Sequence, residues 1–389
     1  MKSLIIRLFC SLLSFVLPPK KNLYLFGSWY GNKYGDNSRY FFEWLSNSHE
    51  DVECYWITRN QELYKELKAK NIKVLYAKGL KVYWLHFRAS AIFCNCSPMT
   101  DLLGEYLNRR AVVFNLWHGT PIKKIGFDAI ASDISSERLG LKRASFLSRI
   151  MPKRIKVFGK WLMEKELYYL ASSEKVASLL SSAMGVDKEH IIVNGYPKLD
   201  HLITTPQTAV KGSILYAPTY RGEYNSENDL LTMFGFDAEH VDAWLEDNHK
   251  SLTIRLHPAN TLPQRLIEKI MACKNIKIGG TGDLYEEMTT YEVIVTDFSS
   301  LFYDAISVNI KTVIAPFGLA EYQSDDRQLY FSPEELFPYQ MAATWPELLT
   351  LLPSYFSGEF DLTHIKNTFY CDNKGKASEM LLERISKIL

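Results

Sequence analysis

The chain has 389 residues, too many for one typical hydrophobic core, so two domains are expected. Its 47% hydrophobic and 23% charged residues are those of a globular protein, and a formal net charge of +1 excludes a generally basic nucleic-acid binder. The six cysteines (Cys10, Cys54, Cys94, Cys96, Cys273 and Cys371) show neither a Cys-x-x-Cys pair nor disulfide-framework spacing, which points to reduced thiols in a cytoplasmic compartment.

Residues 3–17 are mostly apolar, but they contain Arg7 and fall short of the ~20 residues a spanning helix needs. On a helix, Ser3, Arg7, Ser11 and Ser14 share one polar stripe. Lys2, Lys20 and Lys21 flank the segment and Pro18-Pro19 end it. No small-residue cleavage site follows. Residues 1–20 are therefore expected to form an amphipathic helix on an anionic inner leaflet. A signal peptide and a helix packed on the protein's own core are the alternatives.

Residues 22–26 read as a strand, with Gly27 to Gly31 as the loop at its carboxyl end. Asp36-Asn37-Ser38 looks like a cap for a helix over 39–45. Strands at 52–58, 74–77, 91–95 and 112–114 alternate with helices at 61–70 and 81–88, the pattern of a parallel, doubly wound sheet. Ligands of such sheets sit beyond the carboxyl ends of the strands. There the 112–114 strand runs into Asn115-Leu116-Trp117-His118-Gly119-Thr120-Pro121-Ile122-Lys123-Lys124. A strand end that fixes a histidine base, glycine that admits substrate, and lysines that attract anions make an enzyme's loop. A core histidine beside an ordinary Gly-Thr-Pro turn is the alternative.

Residues 141–163 carry Lys142, Arg143, Arg149, Lys153, Arg154, Lys156 and Lys160 with no acidic residue and many interleaved aromatic and aliphatic ones. A membrane-facing or polyanion-binding patch is expected rather than a plain solvated face. Nucleic acid is not, since no recognised binding module is present. A strand at 167–172, a helix at 173–184 and a strand at 191–193 follow, the last ending in Asn194-Gly195-Tyr196-Pro197-Lys198. The polar stretch 204–212 reads as the linker, dividing an N-terminal domain at 21–205 from a C-terminal one at 210–389.

The second half restarts the alternation. Strands at 213–217, 252–256, 276–278, 291–296 and 311–315 are expected, with a short helix at 283–289 and a terminal helix at 375–389. Thr219 and Arg221, Arg255 and His257, and Asp297, Ser299 and Ser300 all fall at strand ends on one rim. Ser299 or Ser300 would cap a helix whose free N–H groups suit a phosphate; ordinary capping also accounts for the serines. Two Rossmann-like domains facing a cleft are the GT-B architecture. No Gly-x-Gly-x-x-Gly or Walker A motif is present, so a dinucleotide oxidoreductase and a P-loop kinase are not expected.

Trp117-His118-Gly119-Thr120-Pro121 with Lys124 and Gly126, Asn194-Gly195-Tyr196-Pro197, Ala217-Pro218-Thr219-Tyr220-Arg221, Arg255-Leu256-His257-Pro258 and Thr296-Asp297-Phe298-Ser299-Ser300 together resemble the CDP-glycerol glycerophosphotransferase family. So do Phe26-Gly27-Ser28-Trp29 with Asp36-Asn37-Ser38, and Asp372-x-x-Gly375-Lys376-Ala377-Ser378-Glu379. Two positions depart from that pattern: Lys198 where Arg is usual, and Gln328 where Gly is usual.

The resemblance implies transfer of a polyol phosphate from CDP-glycerol or another CDP-polyol to a hydroxyl of a lipid-linked glycan or polyol-phosphate acceptor, releasing CMP, in teichoic acid or capsule synthesis. It would take place at the cytoplasmic face of the membrane, without metal or other cofactor. His118 is expected as the base and His257 as its catalytic partner across the cleft. Thr219, Arg221, Arg255, Asp297, Ser299, Ser300 and Lys198 fall to the donor. Asp36, Asn37, Trp117, Gly119, Thr120, Lys123 and Lys124 fall to the acceptor side. A nucleotide-sugar glycosyltransferase of GT-B fold and a non-catalytic binder of anionic polymer are the competing readings.

Overall fold

The computed structural model describes residues 2–131, 165–221, 226–227, 229–257, 260–280, 282–325 and 328–389. The basic stretch at 141–163 lies outside them. Seven parallel strands form the first sheet: β1 (Lys20–Phe26), β2 (Glu53–Thr58), β3 (Val74–Tyr76), β4 (Ala89–Cys94), β5 (Val112–Asn115), β6 (Leu167–Ala171) and β7 (Ile191–Val193). Their order across the sheet is β3-β2-β1-β4-β5-β6-β7. β8 (Val210–Ala217), β10 (Ser251–Ile254), β12 (Ile276–Ile278), β13 (Tyr291–Thr296) and β14 (Lys311–Ile314) form the second, ordered β12-β10-β8-β13-β14 and parallel throughout. A two-stranded pair, β9 (Ser226–Glu227) with β11 (Asn260–Thr261), lies beside it.

Each sheet grows outward in one direction and then restarts on the other side of its first strand, so each has a switch point, at β1/β4 and at β8/β13. The loops leaving those strands diverge there and open a crevice. Helices cover the sheet faces, and every residue of β4 is buried, which is why Ala-Ser-Ala-Ile-Phe-Cys shows no polar alternation. Phe26 stacks on Phe93 at 4.4 Å between ring centroids, under Phe41 of the helix Asp36–Ser48. Such aromatic pairs add about 0.5–1.5 kcal/mol each beyond burial. The helix Glu174–Met184 begins where Ser173 Oγ accepts the Val176 N–H and stops at Gly185, whose φ of 63° few side chains tolerate.

Strand boundaries fall within a few residues of the sequence reading, but several helices differ. Residues 283–289 form two 3₁₀ turns, Leu284–Glu286 and Met288–Thr290, rather than one helix. The stretch after Asn194 runs into the helix Pro197–Thr204, opened by a proline whose missing N–H costs nothing at that position. The terminal helix, Ala377–Ile388, crosses back to the first sheet and packs on Pro197–Thr204 and Asp36–Ser48. Asp200 fixes its start by accepting from Ala377 N at 2.8 Å and Ser378 N at 2.7 Å, and Asn194 Nδ2 donates to Ala377 O at 2.7 Å. A Cβ on Gly195 would lie 2.1 Å from Asn373 Nδ2, so the Asn-Gly-Tyr-Pro and Asp-x-x-Gly motifs clasp each other.

The helix Lys2–Leu13 inverts the usual amphipathic arrangement. The C-terminal part of its polar stripe faces the protein: Ser11 and Ser14 are buried, and Ser14 Oγ accepts from Arg109 N at 2.9 Å, while Ser3 is exposed. Leu4, Ile5, Phe9, Leu12, Phe15 and Val16 point outward, 47–77% exposed. No helix among the described residues is long and apolar enough to cross a membrane.

Candidate active site

His118 owes its position to a set of side-chain amides. Asn115 Oδ1 accepts from Trp117 N at 2.9 Å, and Asn37 Nδ2 donates to the Leu116 and Trp117 carbonyls at 3.0 and 3.2 Å. Asn95 Nδ2 donates to the Trp117 carbonyl as well. These bonds hold Trp117 at φ 57°, a left-handed conformation that bulky residues avoid. Trp29, Tyr30 and Asp36, on the neighbouring loop, share it with φ of 45°, 61° and 63°. Four such residues on the loops after β1 and β5 mark where the fold stores strain, a habit of functional sites.

The His118 ring lies against Trp117 (4.5 Å between centroids) and Trp29 (5.3 Å). Its Nδ1 is 3.4 Å from the Asn95 carbonyl. A carbonyl only accepts, so Nδ1 carries the hydrogen and Nε2 keeps its lone pair. Burial pushes the imidazole down to about 4, and the Lys198 ammonium acts in the same direction against the Asn95 hydrogen bond. The ring is thus a neutral base at pH 7.

Lys198 is not on the cleft surface. Its side chain has 0% exposure, and Nζ lies 2.9 Å from Asp304 Oδ2 and 3.5 Å from Asp36 Oδ1. It also donates to the His118 carbonyl at 2.9 Å and to Tyr285 Oη at 2.7 Å. Two carboxylates already hold this ammonium. Burial, with Asp283 and Asp304 nearby, lifts Asp36 to about 6 against the pull of Lys198 and the Asn37 N–H. Thr120 is buried, its Oγ1 3.2 Å from Ser172 Oγ and 3.4 Å from Tyr370 Oη.

Asp297 is likewise engaged within the protein. It accepts from Thr219 N at 2.8 Å and Phe298 N at 2.6 Å, and pairs with Arg221 Nη2 at 3.0 Å. Arg221 also donates to the Phe317 carbonyl at 2.8 Å and lies over the Phe298 and Tyr322 rings. Arg255 pairs with Glu287 and donates to the Gly282 carbonyl. Ser299, not Ser300, supplies the turn bond, Oγ accepting from Leu301 N at 3.2 Å; Ser300 precedes the helix Leu301–Ser307 without a side-chain cap.

Gly119 brings the two walls together. A Cβ there would lie 2.7 Å from Ser300 Oγ and 2.9 Å from Ser300 Cβ, so only glycine lets the histidine loop meet the second sheet's rim. His257 stands on that rim. Its imidazole is held below the ordinary value by loss of water and by the ammonium groups of Lys33 and Lys123.

Lys123 therefore joins the cleft from the histidine loop. Lys124 turns away from it, Nζ donating to Gln328 Oε1 at 2.9 Å and its N–H to the Gln328 carbonyl at 2.8 Å. Lys33 was missed in the sequence, although it sits between the Trp29 and Asp36 segments that were singled out. Its ammonium is 6.0 Å from the Trp29 ring and is held below its usual value by burial, with Arg255 adding repulsion. A lysine in the short Gly31–Gly35 stretch was the available signal.

Residues 9–387 match the family described as CDP-glycerol:poly(glycerophosphate) glycerophosphotransferase. The chain belongs to this family. Membership makes it a transferase enzyme. It is 24% identical over 396 residues to a teichoic acid glycerol-phosphate transferase of Staphylococcus aureus, covering 95% of this chain and 94% of that one. A teichoic acid poly(glycerol phosphate) polymerase of Bacillus spizizenii is 22% identical over 407 residues, covering 99% and 97%. The structure of the wall teichoic acid polymerase TagF superposes with a TM-score of 0.71 at 19% identity, over 98% of this chain and 93% of that one. A putative UDP-N-acetylglucosamine 2-epimerase of Listeria monocytogenes gives 0.56 at 13% identity, covering 95% and 97%, and shares the two-sheet, GT-B-like architecture.

Proposed function

We propose that this enzyme transfers glycerol phosphate, or a related polyol phosphate, from CDP-glycerol to a hydroxyl of a membrane-linked acceptor in teichoic acid synthesis. Nε2 of His118 takes the acceptor's hydroxyl proton as that oxygen attacks the β-phosphorus. The new O–P bond forms while the bond from the β-phosphorus to the bridging oxygen breaks, and CMP leaves with that oxygen and its electron pair. The observation that carries this reading is the meeting of a neutral His118 with a rim that gathers His257, Lys33 and Lys123. The lysines supply charge and His257 an N–H donor for the phosphates, which is where negative charge builds up. Asn37 and Trp117 shape the acceptor side through the histidine loop, while Arg221, Thr219 and Asp297 brace the donor wall.

The first domain, residues 21–205, is read as the acceptor half and residues 210–389 as the donor half, with the terminal helix lending its weight to the former. The N-terminal helix is read as resting on an anionic cytoplasmic leaflet. Its outward Leu4, Ile5, Phe9, Leu12, Phe15 and Val16 suit the acyl boundary, and Lys20 and Lys21 open the strand that follows it.

The test is a panel of CDP-glycerol, CDP-ribitol and nucleotide sugars scored for nucleotide release with a lipid-linked acceptor. CMP release from CDP-glycerol with a phosphodiester product is expected; a glycosidic product from a nucleotide sugar would reject the reading. His118→Ala is expected to lower turnover by about 100- to 10,000-fold with CDP-glycerol binding nearly intact. Near-normal turnover removes His118 from the role.

A further inference from the structure

Lys198 reaches across the molecule at zero exposure. It lies in the first turn of Pro197–Thr204, on the first sheet's side, and its Nζ meets Asp304 of Leu301–Ser307 on the second sheet's side at 2.9 Å. The same ammonium donates to the main-chain carbonyl of His118 at 2.9 Å and to Tyr285 Oη at 2.7 Å. Asp304, 0% exposed, is itself fully engaged: Tyr285 Oη donates to Oδ2 and Tyr370 Oη to Oδ1 at 2.6 Å. Asn37 Oδ1 accepts the Lys198 N–H at 3.3 Å, while its Nδ2 holds the Leu116 and Trp117 carbonyls. A buried ammonium is costly unless it is paired and hydrogen-bonded, and here every partner belongs to a segment that frames the cleft. Its three-donor head spends one of those donors on the peptide of the base.

We propose that Lys198 is a positioning residue, pinning the His118 peptide of the first sheet to Asp304 of the second and so fixing the imidazole relative to the donor wall. The inference rests on His118 acting as the base. The pin acts through the backbone, so its loss displaces the ring without removing any group that touches substrate. A displacement of about 1 Å at a reacting group costs on the order of 100-fold in rate. Lysine suits this spot because a compact ammonium can reach an oxygen on each of three sides, whereas a planar guanidinium is bound to its fork. The charged groups facing it are Asp304, Asp36 and, farther out, Asp283.

The decisive comparison uses Lys198→Met, Lys198→Arg and the double variant Lys198→Met/Asp304→Asn in the full chain. The double variant removes both charges of the 2.9 Å pair together and leaves only Asp36, already raised to about 6, to take up a proton, so it is the gentler form for folding. Melting temperature, kcat and KM for CDP-glycerol, and the His118 imidazole titration by NMR are measured for each. The double variant is expected to melt near the parent, lose about 10- to 100-fold in kcat, and keep KM within a few-fold. The His118 titration is expected to move upward, because an ammonium that opposed its protonation is gone. Lys198→Arg is expected to recover part of the rate.

A KM rise of 10-fold or more with kcat kept would instead make Lys198 a donor ligand. A fall in melting temperature with unchanged kcat, or His118 ring chemical shifts against Trp117 and Trp29 that match the parent's, would reduce the pin to a structural pair. Either overturns the proposal. Because the NMR readout needs no turnover, it stands apart from failure of the parent enzyme to release CMP, which would instead reject the functional reading.

Discussion

Gly119 and Ser300 are in contact across the cleft: a Cβ on the glycine would lie 2.7 Å from the serine Oγ and 2.9 Å from its Cβ. The histidine loop of the first sheet thus touches the helix start of the second with no room for a methyl group. Gly119→Ala is expected to push the loop back and cut CMP release about 10- to 100-fold, since small misplacements of a base are costly. Ser300→Gly removes both atoms in the way, so the double variant should regain part of the rate, the remainder lost to the φ of 157° that an alanine at 119 must still adopt. Steady-state kinetics of the three variants decide it; a double variant no better than Gly119→Ala would show that the close approach is not what glycine provides.

Acid stability follows from two neutral histidines. His86, fully buried, donates Nδ1–H to the Val82 carbonyl at 2.7 Å and accepts the Leu103 N–H at Nε2 at 3.2 Å, so protonation would break the second bond. Burial pushes His86 and His118 each down to about 4. Between the ordinary value near ~6.5 and about 4 the unfolded chain binds more protons at both. Their stabilising contribution is therefore full above ~6.5 and is lost as pH falls toward 4, at roughly 1.4 kcal/mol per pH unit for His86 alone. Asp36, raised to about 6, works the other way: the folded state takes up its proton first, which adds stability as pH falls through 6. Denaturant titrations from pH 7 to 4.5 should show a net decline, made steeper by Asp36→Asn. A shallower decline in that variant would contradict the assignment.

At the opposite wall, His257 is held below its usual value partly by Lys33 and Lys123. A bound diphosphate would offset those ammonium charges and stabilise the imidazolium. CDP-glycerol binding is expected to raise the His257 titration point in NMR, and Lys33→Met to raise KM several-fold while leaving kcat nearly unchanged. An unmoved His257 signal on saturation would place the phosphates elsewhere.

Arg221 and Asp297 make a different prediction from the one their strand-end positions suggest. The pair is 3.0 Å apart, with the aspartate 2% exposed, and it ties Thr219, Phe298 and Phe317 together. Removing the cation leaves a buried carboxylate short of a partner. Arg221→Met is therefore expected to destabilise the chain by about 3–5 kcal/mol, read as a lower denaturation midpoint. A fully stable variant with a raised KM would return Arg221 to direct donor binding.

The outward apolar face of the N-terminal helix is testable without chemistry. Phe9→Glu with Leu12→Glu should weaken sedimentation with anionic vesicles by about 10-fold or more and leave CMP release with a soluble acceptor unchanged. Equal sedimentation would move the membrane contact off this face.

Local chemistry was enough to read the alternating strands and helices, because each strand is a short β-branched or aromatic run closed by glycine, proline or a capping residue. Parallel order followed from that alternation, and with it the rim on which His118, His257 and Ser299 stand. Sequence also exposed the motifs, since Trp-His-Gly-Thr-Pro or Arg-Leu-His-Pro at a strand end has little packing purpose.

What it left undecided was which polar groups reach solvent. Lys198, Asp297 and Arg221 look like ligands as residue types, yet long-range partners such as Asp304 and Tyr285 bury or engage them. Those partners are 87 to 106 positions away from Lys198, and no local periodicity encodes such pairings. The return of Ala377–Ile388 to the first sheet, and the inversion that turns the C-terminal part of the N-terminal helix's polar stripe inward, are settled the same way. A helix pattern states which face is apolar; only the surface it meets decides which face is covered.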